Sequence, residues 1–155
     1  MFGTQLGILT AIASLAACAD VTNAPAADPS MKLNETAFRC GAEPVLITQC
    51  SYTACHGKED SALRVYSLGK LRNPSATDGI SASAPLSDAE QHANFLSAAA
   101  FATYDVAPAD NWLLKKPLPA ADGGFEHAGG AIYTGTGDAN YVAIFKWLDG
   151  ATSCN

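Results

Sequence analysis

Apolar residues recur with helical spacing near the end of the chain, and this pattern predicts the clearest element of the fold. Four of them occupy one helical face at positions i, i+3, i+4 and i+7: Tyr141, Ile144, Phe145 and Leu148. Asp138 is a typical helix-capping residue, and Gly150 is typical of a helix end. The sequence therefore predicts a closing helix that begins near Asp138 and stops at Gly150.

Capping signals predict two short elements at the start of the domain. Asn34 favours a short helix that ends at Gly41. Pro44 then opens a second segment, residues 44–50, because proline is favoured in the first turn of a helix. This second segment is short, and a strand is the alternative interpretation.

A stronger signal lies in the middle of the chain. Ser87 and Glu90 have the spacing of a capping box, and the Ala-rich run behind them predicts a helix that reaches Tyr104. Long segments rich in Gly and Pro separate the predicted helices. We therefore expect an all-α fold, a small helical domain with long loops that a disulfide, a metal or a cofactor organises.

The N-terminal segment carries the features of an export signal. An uncharged apolar run, residues 6–17, ends in small residues directly before Cys18. Leu-Ala-Ala followed by Cys resembles the lipobox of bacterial lipoproteins. That resemblance implies that residues 1–17 are a signal peptide, that residues 18–32 are the lipidated Cys and a flexible tether, and that residues 33–155 are the domain. No Lys or Arg precedes the run, and a buried N-terminal helix is the alternative.

Composition and charge argue against nucleic-acid binding. The chain contains nine Lys and Arg residues and fifteen Asp and Glu residues, which gives a net charge of −6. Nucleic-acid binding needs clustered basic residues and is not expected. An acidic surface favours protein partners with basic patches. In bacterial lipoproteins, an Asp directly after the lipidated cysteine favours retention in the inner membrane, and here that position is Ala19. The resemblance to a lipobox therefore implies a periplasmic or outer-membrane-associated location. Contact with the membrane is expected through the lipid anchor only.

The segment from Cys50 to Gly57, Cys-Ser-Tyr-Thr-Ala-Cys-His-Gly, carries the candidate chemistry. Two thiols can add to the vinyl groups of haem, and the imidazole of His56 can bind the iron. The usual attachment motif is C-x-x-C-H. Here Cys50 and Cys55 are two positions further apart, so the connecting loop must bulge.

This pattern resembles the cytochrome c-like domains of secreted proteins and lipoproteins from myxobacteria and planctomycetes. The resemblance continues through Leu-Leu-Lys-Lys-Pro-Leu at 113–118, Gly-Gly at 123–124, His-Ala-Gly-Gly at 127–130 and the closing helix. Ala128 stands where that family usually has Gly. The resemblance implies a cytochrome c-like fold and covalently bound haem c, with Cys50, Cys55 and His56 at the attachment site.

A haem iron also needs a sixth ligand, which is commonly Met or a second His. His127 lies between two Gly pairs and matches the His-Gly-Gly part of the family pattern, so it is the predicted distal ligand. Met31 precedes the motif in the tether, and His92 lies on the capping-box helix, where an ordinary role is expected. The iron ligands are therefore predicted to be His56 and His127. A loop histidine that only binds the backbone is the alternative for His127.

Four cysteines remain once Cys18 carries lipid. If Cys50 and Cys55 hold haem, Cys40 and Cys154 are left to pair with each other. In cytochrome c folds the first and last helices pack together, and this pairing agrees with that arrangement. The alternatives are free thiols at Cys40 and Cys154, and a plain Cys50–Cys55 disulfide in place of the haem.

These expectations combine into a monohaem c-type cytochrome-like lipoprotein that passes electrons to redox partner proteins of the cell envelope. It would be an electron carrier rather than an enzyme. The alternative is a non-catalytic envelope lipoprotein without haem, braced by Cys50–Cys55 and Cys40–Cys154 disulfides. A zinc site and a Cys–His enzyme are weaker alternatives. The candidate aromatic residues of the pocket or core are Trp112, Tyr133, Phe145 and Trp147, with the core favoured for Phe145.

Overall fold

The computed structural model describes residues 33–73, 83–102 and 106–154. The predicted signal peptide, Cys18 and the tether lie outside these described residues. Within the described ranges the chain is helical and contains no strand, so the predicted all-α class is confirmed. None of the helices in those ranges combines the length and apolarity that crossing a bilayer requires.

One continuous helical segment, residues 35–50, opens the domain, and we call it the N-terminal helix. Its successive turns are α1 (Glu35–Ala37), a π-helical turn (Phe38–Ala42), α2 (Glu43–Val45) and a second π-helical turn (Leu46–Cys50). Asn34 caps it as predicted, because its side chain accepts a hydrogen bond from the Ala37 amide at 2.8 Å.

The predicted break at Gly41 is wrong, and so is the alternative of a strand after Pro44. Pro44 lies inside this continuous segment, directly after the π-helical turn Phe38–Ala42, where the regular α-helical hydrogen-bond pattern is already interrupted. The turn before it is widened, since the Glu43 amide donates to the carbonyl of Phe38, five residues back. Phe38 and Ala42 are completely buried. Packing of this face outweighs the local preference of Gly and Pro to end a helix.

The middle of the domain is built from α3 (Asp88–Ala99), α4 (Trp112–Lys115) and single 3₁₀ turns at Pro108–Asp110 and Ala120–Asp122. α3 has the predicted capping box, in which the Ser87 hydroxyl and the Glu90 carboxylate each accept the other's amide. The helix ends at Ala99 rather than at Tyr104, which lies outside the described residues.

The predicted closing helix is α5 (Ala139–Leu148). Asp138 caps it by accepting the Asn140 amide at 2.8 Å, and Gly150 follows it with φ +93°. Both predicted boundaries are confirmed, because each depends on a local backbone geometry. Tyr141 and Ile144 are buried.

The N-terminal helix, α3 and α5 meet in the core through three aromatic rings. The Phe38 ring lies 5.0 Å from that of Trp147 and 5.7 Å from that of Phe95. A Cys40–Cys154 disulfide joins the N-terminal helix to the segment after α5, with its Cα atoms 5.4 Å apart. The predicted pairing is therefore present. This framework supports the long loops that contain the candidate site.

Candidate functional site

The C-x4-C-H segment begins where the N-terminal helix ends, at Cys50. The amide of His56 donates to the carbonyl of Cys50 at 3.1 Å. The amides of Cys55 and Gly57 both donate to the carbonyl of Tyr52, at 2.8 and 2.9 Å. The residues between the two cysteines therefore form a closed turn, which brings His56 back to Cys50.

Two contacts support this turn. Gly57 packs directly on the backbone of Ser51, where a Cβ atom would lie 1.9 Å from the Ser51 carbonyl oxygen. Lys70 donates from Nζ to the Ser51 hydroxyl at 2.9 Å and lies 3.8 Å above the centre of the Tyr52 ring. Sequence reasoning missed Lys70, since no local pattern connects it to a motif so far upstream.

Two hydrogen-bond contacts at Nδ1 fix the orientation of the His56 ring. Its Nδ1 atom lies 3.0 Å from the carbonyl oxygen of Leu63 and 3.3 Å from the hydroxyl of Ser61. A carbonyl only accepts, so Nδ1 carries the proton and Nε2 keeps a free lone pair. Burial lowers the pKa of His56, and the nearby His127 lowers it further. The neutral ring is thus prepared to act as a metal ligand.

The structure brings His127 next to His56. Their ring centres are 6.1 Å apart and their planes differ by 7°. The Nδ1 atom of His127 lies 3.2 Å from the carbonyl oxygen of Gly130, so this ring too can present Nε2. A metal–nitrogen bond of about 2 Å on each side and roughly 1 Å from each nitrogen to its ring centre sum to about 6 Å. The ring separation of 6.1 Å therefore matches two imidazoles that share one metal ion through Nε2 atoms facing each other.

Both rings line a cavity of about 350 Å³, within the size range of small-molecule sites. Cys50 is among the described residues that line it, and Cys55 is not. Most of the remaining wall is apolar, with one basic and one acidic side chain: Leu46, Leu63, Phe101, Trp112, Leu113, Lys116, Pro117, Glu126, Ala128 and Tyr133. Sequence reasoning missed Leu63, Phe101 and Glu126, since they lie outside the recognised motifs.

Cys50 and Cys55 are both free thiols in the structure. The alternative with a Cys50–Cys55 disulfide therefore does not match the structure. Burial raises the pKa of the Cys50 thiol to about 11, with a smaller effect from the neighbouring Cys55.

The other candidate ligands lie elsewhere. His92 is on the surface of α3, where its Nδ1 atom pairs with the Glu35 carboxylate at 2.9 Å. Met31 lies outside the described residues. Across the described ranges, no three His, Cys, Asp or Glu side chains gather closely enough to hold a metal ion. A pair of imidazoles suits a metal that brings its own equatorial ligands, as haem iron does.

The predicted aromatic residues divide between the cavity and the core. Trp112 and Tyr133 line the cavity. Trp147 is buried in the core, and Phe145 packs against that core from a half-buried position. Lys116 lies at the cavity wall, 5.0 Å from the Trp112 ring.

Comparison with protein-family models, with curated proteins and with solved structures gives no match to this chain.

Proposed function

We propose that the protein is a monohaem c-type cytochrome-like lipoprotein that carries electrons at the bacterial cell envelope. The main support is the pair of nearly parallel imidazoles, His56 and His127, with ring centres 6.1 Å apart. One of them directly follows Cys55, and both line the cavity that Cys50 also lines. In this proposal the helical domain is a cytochrome c-like fold.

In the proposed site, two cysteines hold the haem and two histidines bind its iron. Cys50 and Cys55 form the thioether bonds, His56 is the proximal ligand, and His127 is the distal ligand. Bound haem supplies the one-electron couple. Hydrogen bonds between Nδ1 and the carbonyls of Leu63 and Gly130 orient both imidazoles and leave each Nε2 as the ligating atom. The same two Nε2 atoms would serve as ligands in both oxidation states.

The surroundings of the cavity suit an electron carrier. Its wall is mostly apolar and would contact the apolar faces of a bound haem. Lys116 on this wall can pair with a haem propionate. Trp112 lines the same cavity and is 52% exposed, so it offers a partner protein an aromatic contact beside the cofactor. The net charge of −6 favours envelope partners that carry basic patches.

A pyridine haemochrome spectrum of the full chain, made with a cytochrome c maturation system, tests the proposal. We expect a c-type spectrum whose colour stays with the protein through acid–acetone extraction. Cys50→Ala and Cys55→Ala should each shift the spectrum toward that of a singly attached haem. His92→Ala is the matched control and should leave it unchanged. A colourless protein with unmodified Cys50 and Cys55 would refute the proposal.

A further inference from the structure

The two histidines are held very differently. The backbone of His56 is bonded on both sides, with its amide on Cys50 and its carbonyl accepting the Val65 amide at 2.8 Å. The bonds of His127 all lie within its own turn. Its carbonyl accepts the Gly130 amide at 2.8 Å, and its Nδ1 atom pairs with the Gly130 carbonyl.

The loop that carries His127 is fastened only at its ends. The Phe125 amide donates to the carbonyl of Lys115 at 2.9 Å, and the Ile132 amide donates to that of Pro117 at 2.8 Å. Between these two points, residues 126–131 make no hydrogen bond to another part of the described structure. Apart from His127, every residue of that stretch is exposed. Little burial therefore opposes an outward movement of this turn.

The absence of a side chain at Gly129 leaves room for the His127 ring. A Cβ atom at Gly129 would lie 2.9 Å from Cε1 and 3.2 Å from Nδ1 of that ring. The backbone of Gly129 does not have the positive φ that Gly130 has, at +73°. A side chain at Gly129 would therefore strike the imidazole without straining the backbone itself.

We infer that His127 is an exchangeable ligand, and that the turn 126–131 swings out to let a small uncharged molecule such as carbon monoxide take its place. The inference rests on the proposed haem site and specifies a second function for it, the binding of a diatomic ligand. One iron–imidazole bond breaks and one iron–carbon bond forms. The imidazole leaves neutral with its Nδ1 proton, and no electron is transferred.

The test uses the haem-loaded full chain, reduced with dithionite and mixed with carbon monoxide in a stopped-flow spectrometer. In the parent protein we expect the Soret band to shift at a rate that becomes independent of carbon monoxide concentration, because departure of His127 limits it. His127→Ala should bind faster, at a rate proportional to the concentration. Gly129→Ala should raise the limiting rate by about tenfold, as a displaced ring binds less firmly. His92→Ala, the matched control, should behave like the parent.

The outcomes separate the two proposals. If the parent never binds carbon monoxide while His127→Ala does, His127 is a permanent ligand. The exchange inference is then wrong and the cytochrome proposal stands. If His127→Ala leaves the spectrum without carbon monoxide unchanged, His127 is not a ligand and the inference fails with it. If the chain takes up no haem, both proposals fail.

Discussion

Removal of the Cys40–Cys154 disulfide should destabilise the domain strongly without disturbing its packing. Both cysteines are exposed, so their replacement leaves no cavity. The N-terminal helix and α5 also remain in contact through Phe38 and Trp147, whose ring centres lie 5.0 Å apart. The cost of losing the bond should therefore come mainly from the unfolded chain, which gains freedom.

The size of the effect follows from the length of the closed loop. The bonded cysteines are separated by 114 residues. A loop of that length corresponds to about 5 kcal/mol in the chain-entropy account of cross-linking. A domain of this size has a total stability of roughly 5–15 kcal/mol, so the loss should be a large fraction of it.

Guanidinium denaturation of the haem-loaded parent and of the Cys40→Ser/Cys154→Ser variant measures this loss. We expect a lower midpoint and a steeper dependence on denaturant, because the uncrosslinked chain unfolds to a more expanded state. Each single replacement should cost as much as the double, since either one removes the same bond. Ser153→Ala, a change at an exposed neighbour, is the control. A loss below about 1 kcal/mol would refute the entropic reasoning.

Further predictions concern buried polar groups. Glu90 is fully buried on Arg72, which holds the pKa of this carboxyl at about 2. The stabilisation by Glu90 should be complete above the ordinary carboxyl pKa and should disappear as the pH falls toward 2. In urea titrations, Glu90→Gln should therefore lower the free energy of unfolding by about 3 kcal/mol at pH 7 and by little at pH 2. Burial raises the pKa of Glu43, so the ionisation of this carboxyl should destabilise the folded state as the pH rises. Glu43→Gln should therefore become more stable relative to the parent between pH 4 and pH 7. Lys70→Met should lower the free energy of unfolding by about 1 kcal/mol, through loss of the bond to Ser51, in the same titrations.

Local signals predicted where helices begin better than where they end. Asn34, Ser87 and Asp138 each cap a helix by a hydrogen bond to an amide two or three residues ahead, so the sequence alone contains both partners. The predicted ends at Gly41 and Tyr104 were wrong because helix continuation depends on distant packing.

In the candidate site, too, the sequence predicted the residues with a local motif and missed those that arrive from distant segments. The motif placed His56 beside two thiols, and the resemblance to cytochrome c-like domains proposed His127 as its partner. The structure brings the two rings together across a long stretch of chain. Phe101 and Lys70 had no comparable signal in the sequence. Each belongs to a segment without a recognised motif, and only the fold brings it to the site.

In the proposed haem site, the closed turn between Cys50 and His56 would accommodate the wide cysteine spacing. In C-x-x-C-H the histidine follows the first cysteine by four positions, the spacing of an α-helical hydrogen bond. Here His56 follows Cys50 by six positions, and its amide still reaches the Cys50 carbonyl at 3.1 Å. The added length lies within the loop that this bond closes, where Thr53 and Ala54 are exposed.

Deletion of Thr53 and Ala54 tests this argument, because it produces the shorter motif while retaining both cysteines and His56. If the closed turn already presents the thiols well, the amount of covalent haem per protein should stay within about twofold of the parent. Pyridine haemochrome absorbance and intact mass would measure it, with His92→Ala as the control for altered expression. An increase of about tenfold would show that the wide spacing itself limits attachment, and that the Cys50–His56 bond does not compensate for the extra residues.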